Sequence, residues 1–173
     1  MAQVNYSDNG LVFITKQTFS SASSVSFDNC FSADYSQYKI ISSVSNVSAN
    51  AYNYLRLRAS GTDTTTGYNI QYVVAAGTGI SAARDTNFPH FLQLGYILSG
   101  KNEGASIAEI LNPYQATYTS GLSQSADRPE SVNPEVKFWA AGTDVTTQYD
   151  GFTLIPSTGT FSGTAYVYGY VES

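Results

Sequence analysis

The sequence predicts an all-β fold, a single jelly-roll β-sandwich of about eight to ten antiparallel strands. Three observations point there. Short runs rich in β-branched and aromatic residues recur along the chain, broken by Gly, Ser, Asn, Asp and Pro clusters about every 8–12 residues. No helix-length stretch keeps a 3.6-residue period. The closing segment, Gly159 to Ser173, sets Ala165, Val167, Gly169 and Val171 on one face of a strand and Tyr166, Tyr168 and Tyr170 on the other.

Taken in order, residues 1–10 are polar and read as an N-terminal arm, and residues 11–173 as the sandwich domain. Leu11 to Thr18 is rich in β-branched and aromatic residues, and Val25 to Phe27 is a short alternating piece. Tyr38 to Val44 runs into a serine-rich turn. Tyr54 to Ala59 alternates cleanly, and Tyr68 to Ala75 follows the turn GTDTTTG. Phe91 to Leu98 is apolar throughout. Ala105 to Leu111 is too short for a persuasive helix and is stopped by Asn112-Pro113, so it too is read as a strand. The Ser-rich region Thr117 to Pro134 reads as a long surface loop of the kind found at interfaces. Glu135 to Ala140, Gly151 to Ile155 and Thr164 to Val171 complete the set. In the last of these, Val167 and Val171 are expected to face the core and the tyrosines to remain available for contact.

The 173 residues fit one domain, and 42% hydrophobic content can fill a core. Charged residues are only 12%, about half the usual share of roughly 25%, so solubility rests on hydroxyl and amide groups. Eight Lys and Arg, unclustered in a chain of net charge −5, argue against nucleic acid as a partner. The lone Cys30 allows neither an intrachain disulfide nor a thiolate zinc set, and its neighbours suggest a buried thiol. The N-terminus lacks a basic start and an apolar stretch, so no signal peptide is expected. No run approaches the ~18 apolar residues of a membrane span.

The catalytic inventory is thin. His90 is the one histidine, and a Ser81/His90/Asp85 set can be written on paper, but no G-x-S-x-G elbow accompanies it. Glu103, Glu109, Asp144 and Asp150 are the carboxylates open to pairing across a cleft, and most sit beside turn residues. No calcium-loop spacing and no phosphate-cradling Gly loop occurs. The expectation is a protein without catalytic residues, metal or cofactor. Arg56 and Arg58 share one strand face, with Leu55 and Leu57 opposite. They either carry two solvated charges or fork onto carboxylates of a neighbouring strand or subunit. Fourteen tyrosines are the largest signal. Tyrosine suits half-buried sheet positions, protein interfaces and sugar-binding grooves, where a ring stacks on a pyranose face.

Several segments together carry a resemblance: Ser-Val-Ser-Phe-Asp-Asn-Cys-Phe-Ser, the Leu55-Arg56-Leu57-Arg58-Ala59 strand, Tyr149-Asp150-Gly151-Phe152, and the closing Val167-Tyr168-Gly169-Tyr170. From about Leu11 to Tyr170 the chain resembles a family of virion structural proteins of tailed bacteriophages. The resemblance implies a jelly roll that trimerises, decorating capsids or forming part of tail fibres and adhesins. It carries no catalytic motif. The absence of a shaft favours a capsid decoration (cement) protein, assembled into the virion in the host cytoplasm with the major capsid protein as partner. The alternative is a tail module that binds a host cell-surface glycan. Interface residues expected on the capsid reading are Arg56, Arg58, Tyr166, Tyr168 and Tyr170, with the N-terminal arm, whereas the glycan reading expects a shallow groove with two or more aromatic rings beside Asn, Asp or Gln.

Overall fold

The computed structural model describes residues 10–100, 104–127 and 135–171. The N-terminal arm and Glu103 lie outside these residues, apart from Gly10. The strands are β1 (Leu11–Ala22), β2 (Val25–Phe27), β3 (Gln37–Val47), β4 (Ala51–Ala59), β5 (Thr62–Asp63), β6 (Tyr68–Ala76) and β7 (Gly79–Phe88). They continue with β8 (Leu92–Ile97), β9 (Gly104–Leu111), β10 (Ser120–Asp127), β11 (Glu135–Thr143), β12 (Gly151–Pro156) and β13 (Phe161–Tyr170).

Two antiparallel sheets form the sandwich. The larger has eight strands in the order β1-β13-β3-β9-β10-β11-β6-β7. The smaller runs β2-β12-β4, with β5 and β8 sharing the far edge of β4. The pairs β3·β13, β4·β12 and β6·β11 are nested, each joining an earlier strand to a later one further inward along the chain. That is a long hairpin rolled over on itself, the jelly-roll arrangement.

Alternation decides what is buried. Along β13 every second residue faces inward, so Ala165 and Val167 are fully buried while Tyr166, Tyr168 and Tyr170 are half-buried on the outer face. Leu55 and Leu57 of β4 point into the core, as do Phe152 and Leu154 of β12. At one end Phe27 lies parallel to Phe152 at 4.6 Å, and Phe31 packs on both Phe152 and Tyr38. Cys30 is buried there. Its thiol donates to the Phe27 carbonyl at 3.4 Å, and burial pushes its pKa up to about 12.

The loop expected over Thr117 to Pro134 is corrected. Ser120–Asp127 is β10, a central strand between β9 and β11; residues 128–134 lie outside the described set. Its inward residues are Gly121, Ser123, Ser125 and Asp127, so no apolar alternation advertises it. The reason is close packing beneath β8. A Cβ at Gly121 would stand 2.7 Å from the Phe91 ring, and the Ser123 hydroxyl donates to the Gln93 carbonyl at 2.6 Å. Gly95, at φ +119°, leaves room for the Asp127 carboxylate. The edge strand β7 has no counterpart among the sequence-predicted strands. Nearly all its residues are exposed, so neither face imposes an apolar pattern.

Candidate ligand-binding cleft

The two sheets differ in width, and that difference makes a cleft. β8 covers β9 and β10 and reaches only the near side of β11. The inner faces of β11, β6 and β7 therefore continue beyond the smaller sheet. The hollow holds about 270 Å³, near the lower end of the roughly 300–1,000 Å³ typical of small-molecule sites. Ile70, Tyr72 and Val74 of β6 and Trp139 of β11 line one side. Tyr52 and Tyr54 of β4, with Gln93 of β8, line the other.

The lining is aromatic and the rings are ordered by one another. Tyr72 lies parallel to Trp139, with centroids 4.8 Å apart and planes 6° apart. Trp139 is itself fixed by its indole N–H, which donates to the Phe91 carbonyl at 3.2 Å. Phe88 packs at an angle on Trp139, with centroids 5.8 Å apart. Tyr54 stacks on His90 at 4.0 Å and 3°. Tyr52 leans on Tyr96 at 4.7 Å, and the Lys137 ammonium sits 5.7 Å and 5.5 Å from those two ring centres.

Polar groups stand among the rings. Lys137 is held by the buried Asp127 at 2.9 Å and by Glu135 at 3.7 Å, so its charge is neutralised within the fold. Asp85 accepts from the Thr86 amide at 2.8 Å, which leaves its second carboxylate oxygen for other donors. Gln93 and Arg84 complete the polar lining, and Arg84 makes no ion pair among the described residues. Burial pushes the Tyr54 phenol up to about 12, so it remains a neutral hydroxyl at ordinary pH. Burial, then the adjacent Arg56 guanidinium, pulls His90 down to about 4. His90 is thus an uncharged aromatic plate at physiological pH.

Of the residues singled out from the sequence, Asp85 lines the cleft and His90 backs Tyr54, while the five expected interface residues fall outside the lining. Arg58 forks onto carboxylates of neighbouring segments within the chain. Its Nε donates to Asp28 at 2.8 Å and its Nη1 to Asp63, and Nη1 also reaches the Thr153 hydroxyl at 2.9 Å. Arg56 shares its Nε–H between the Pro89 carbonyl at 3.1 Å and His90 Nδ1 at 3.2 Å. The first arginine staples the smaller sheet, and the second positions the histidine behind Tyr54. Tyr166, Tyr168 and Tyr170 lie on the outer face of the larger sheet, remote from the cleft lining. Lys16 sits 5.2 Å from the Tyr166 ring centre, Phe13 meets Tyr168 edge-on at 5.8 Å, and the Tyr170 hydroxyl donates to Glu109.

The paper triad is not assembled as such. His90 Nδ1 is engaged by Arg56, and Asp85 by its own strand. Glu109 faces outward on the larger sheet between Lys39 and Tyr170, whereas Asp150 precedes β12 of the smaller sheet and accepts from the Ser60 amide at 3.0 Å. Among the described residues, no group of three or more His, Cys, Asp or Glu could hold a metal ion. A second hollow of about 370 Å³ beside Asp150 is walled mainly by Asn29, Ser32, Ser60 and Gln148 and offers fewer ring faces.

No family model matches the chain, and no curated protein matches it. Among solved structures the chain is similar to Caenorhabditis elegans galectin LEC-6, at 10% identity and a TM-score of 0.34, over 95% of this chain and 99% of that one. It is also similar to the CBM2 module of the Lactobacillus casei BL23 phage J-1 evolved Dit, at 9% identity and a TM-score of 0.26, over 87% of this chain and 69% of that one. Neither likeness bears on what the cleft binds. The jelly-roll assignment stands on the nested strand pairing.

Apart from Asp85, sequence reasoning did not find the cleft residues. Tyr52, Tyr72, Phe88, Gln93 and Trp139 come from five strands, β4, β6, β7, β8 and β11, that no single sequence motif spans. Abundant tyrosine was the one signal that could have led to them.

Proposed function

We propose that this protein is a non-enzymatic glycan-binding module, and that it seats sugar rings in the cleft against Tyr72, which Trp139 backs from behind. The observation that carries the reading is an ordered aromatic lining interleaved with Asp85, Gln93 and Arg84. A pyranose has a face of C–H bonds with slight positive charge, and the face of an aromatic ring is slightly negative, so the two stack. Its hydroxyls donate to a carboxylate or amide oxygen and accept from a guanidinium or amide N–H. The side chains supply both roles. The rings are held by neighbouring rings and hydrogen bonds, so little ordering remains to be done on binding.

The resemblance to phage virion proteins supports placing such a module in a tail fibre or adhesin, with a host cell-surface glycan as its ligand. The test is a glycan array probed with the wild-type chain and with Tyr72→Ala. One or more glycans should bind, and the variant should lose at least about tenfold in affinity, equivalent to about 1.4 kcal/mol. An array with no signal would reject the reading.

A second reading, capsid decoration, is favoured by a different observation. The outer face of the larger sheet exposes Phe13, Ile107, Leu122 and Phe138, the kind of broad apolar surface that can lie on another protein. A decoration protein stabilises a lattice by binding only its assembled form. Co-sedimentation with capsids, unaffected by Tyr72→Ala, is the result that would favour it.

A further inference from the structure

We infer that Arg56 selects for acidic sugars: its guanidinium takes the carboxylate of a uronic or similar acidic sugar unit that extends from the cleft past Tyr54. This deepens the glycan reading above and rests on it. Alternate residues of a strand share a face, so Tyr52, Tyr54 and Arg56 occupy successive positions on one face of β4. Tyr52 and Tyr54 line the cleft. Arg56 is the next position, about 7 Å further along the strand. His90 bridges that step. It stacks on Tyr54 at 4.0 Å, and its Nδ1 accepts from Arg56 Nε at 3.2 Å.

The pairing of the cations singles Arg56 out. Arg58, on the same face of β4, is taken up by Asp28 and Asp63, Lys137 by Asp127 and Glu135, and Lys39 by Glu109. Lys16, Arg56 and Arg84 make no ion pair among the described residues. Lys16 and Arg84 are exposed, so water solvates their charge, whereas Arg56 is half-buried. A charge withdrawn from water without a counter-charge is costly, and an arriving carboxylate removes that cost. The side chain is also held ready. Arg56 Nε is shared between the Pro89 carbonyl at 3.1 Å and His90 Nδ1. Both terminal nitrogens, Nη1 and Nη2, are left without a partner among the described residues. Their two N–H groups match the two oxygens of a carboxylate. His90 supplies a further donor. With Nδ1 accepting, the proton of the neutral ring sits on Nε2. Burial, then the Arg56 charge, holds the His90 pKa at about 4, so the ring keeps that neutral form at physiological pH. This end of the cleft therefore offers donors and one uncompensated positive charge, which a neutral sugar leaves unmatched.

Calorimetric titration of the full chain with matched pairs of oligosaccharides tests this. Each pair is an acidic glycan (oligogalacturonate, an alginate fragment or a sialylated oligosaccharide) and the same glycan with its carboxyl groups reduced to alcohols. The wild type should bind the acidic member of at least one pair at least about tenfold more tightly, the range of a charge-assisted hydrogen bond. Added salt should weaken that member and spare its reduced partner. Arg56→Gln should abolish the preference, and Arg56→Lys should keep part of it, because an ammonium retains the charge and loses the fork. The ratio within a pair is the readout, since Arg56→Gln also frees His90 and so alters affinity for both members. The wild-type comparison needs no variant and decides the matter even if Arg56→Gln fails to fold. Equal affinity within every pair overturns the inference and leaves the glycan reading standing. So does a preference that survives in Arg56→Gln, or binding confined to neutral or sulfated glycans. A chain that binds no glycan at all removes both.

Discussion

Tyr72 and Trp139 are direct cross-strand partners on β6 and β11, and their rings lie parallel at 4.8 Å. Trp139 is buried and Tyr72 half-buried, so the tyrosine is the ring the cleft presents and the tryptophan the plate that holds it flat. A direct pair of this kind stabilises the sheet by up to about 1 kcal/mol. It also fixes the orientation of a ring that a ligand would meet.

Arg58 is predicted to be structural. Its side chain is 13% exposed and bonds Asp28, Asp63, Thr153 and the Gly61 carbonyl. Replacing it by Ala removes charge-assisted hydrogen bonds and should cost about 2 kcal/mol in urea unfolding. Arg58→Lys should recover only part of this, because an ammonium cannot form the planar fork. Full recovery by Lys would show that charge alone, not geometry, matters there.

Stability should carry a pH signature from His90. Its ordinary pKa of 6.5 drops to about 4 in the fold. Between these values the unfolded chain binds a proton that the folded chain refuses, so the unfolded state gains as pH falls. The His90 contribution is complete above 6.5, shrinks as pH falls toward about 4, and changes no further below it. His90→Phe keeps a ring against Tyr54 and removes the titration. Chemical denaturation of the variant should be flatter than wild type across this window, and identical slopes would refute the assignment.

Much of this fold was legible where one face of a strand is apolar. β4 and β13 alternate so clearly that the residue pattern alone puts Leu55, Leu57, Ala165 and Val167 in the core. β10 was illegible because its inner face is Gly121, Ser123, Ser125 and Asp127, chosen to fit under β8 rather than to be oily. β7 was illegible because it is exposed on both faces. For Arg58 the sequence left two alternatives open, a solvated charge or a fork onto carboxylates, because Asp28 and Asp63 come from elsewhere in the chain. The cleft was the least legible part. Its rings come together only because one sheet is wider than the other, a property of topology that no local pattern encodes.

The Tyr-Gly-Tyr ending contains its own constraint. A Cβ on Gly169 would stand 2.5 Å from the Tyr35 ring, which itself packs edge-on against Tyr38. Gly169→Ala should therefore destabilise the protein by about 1–3 kcal/mol through overpacking. A change below about 0.5 kcal/mol, the range of ordinary surface substitutions, would mean that Tyr35 swings clear. Urea midpoints decide between the two.

Trp139 is the chain's single tryptophan, and it lines the cleft. Its fluorescence is therefore a built-in probe of the site. Titrating the wild type with a panel of oligosaccharides should give a saturable change in Trp139 emission for the glycans that bind, and no such change in Tyr72→Ala. A glycan that binds the wild type by calorimetry while leaving Trp139 emission unmoved would contradict the cleft as the binding site.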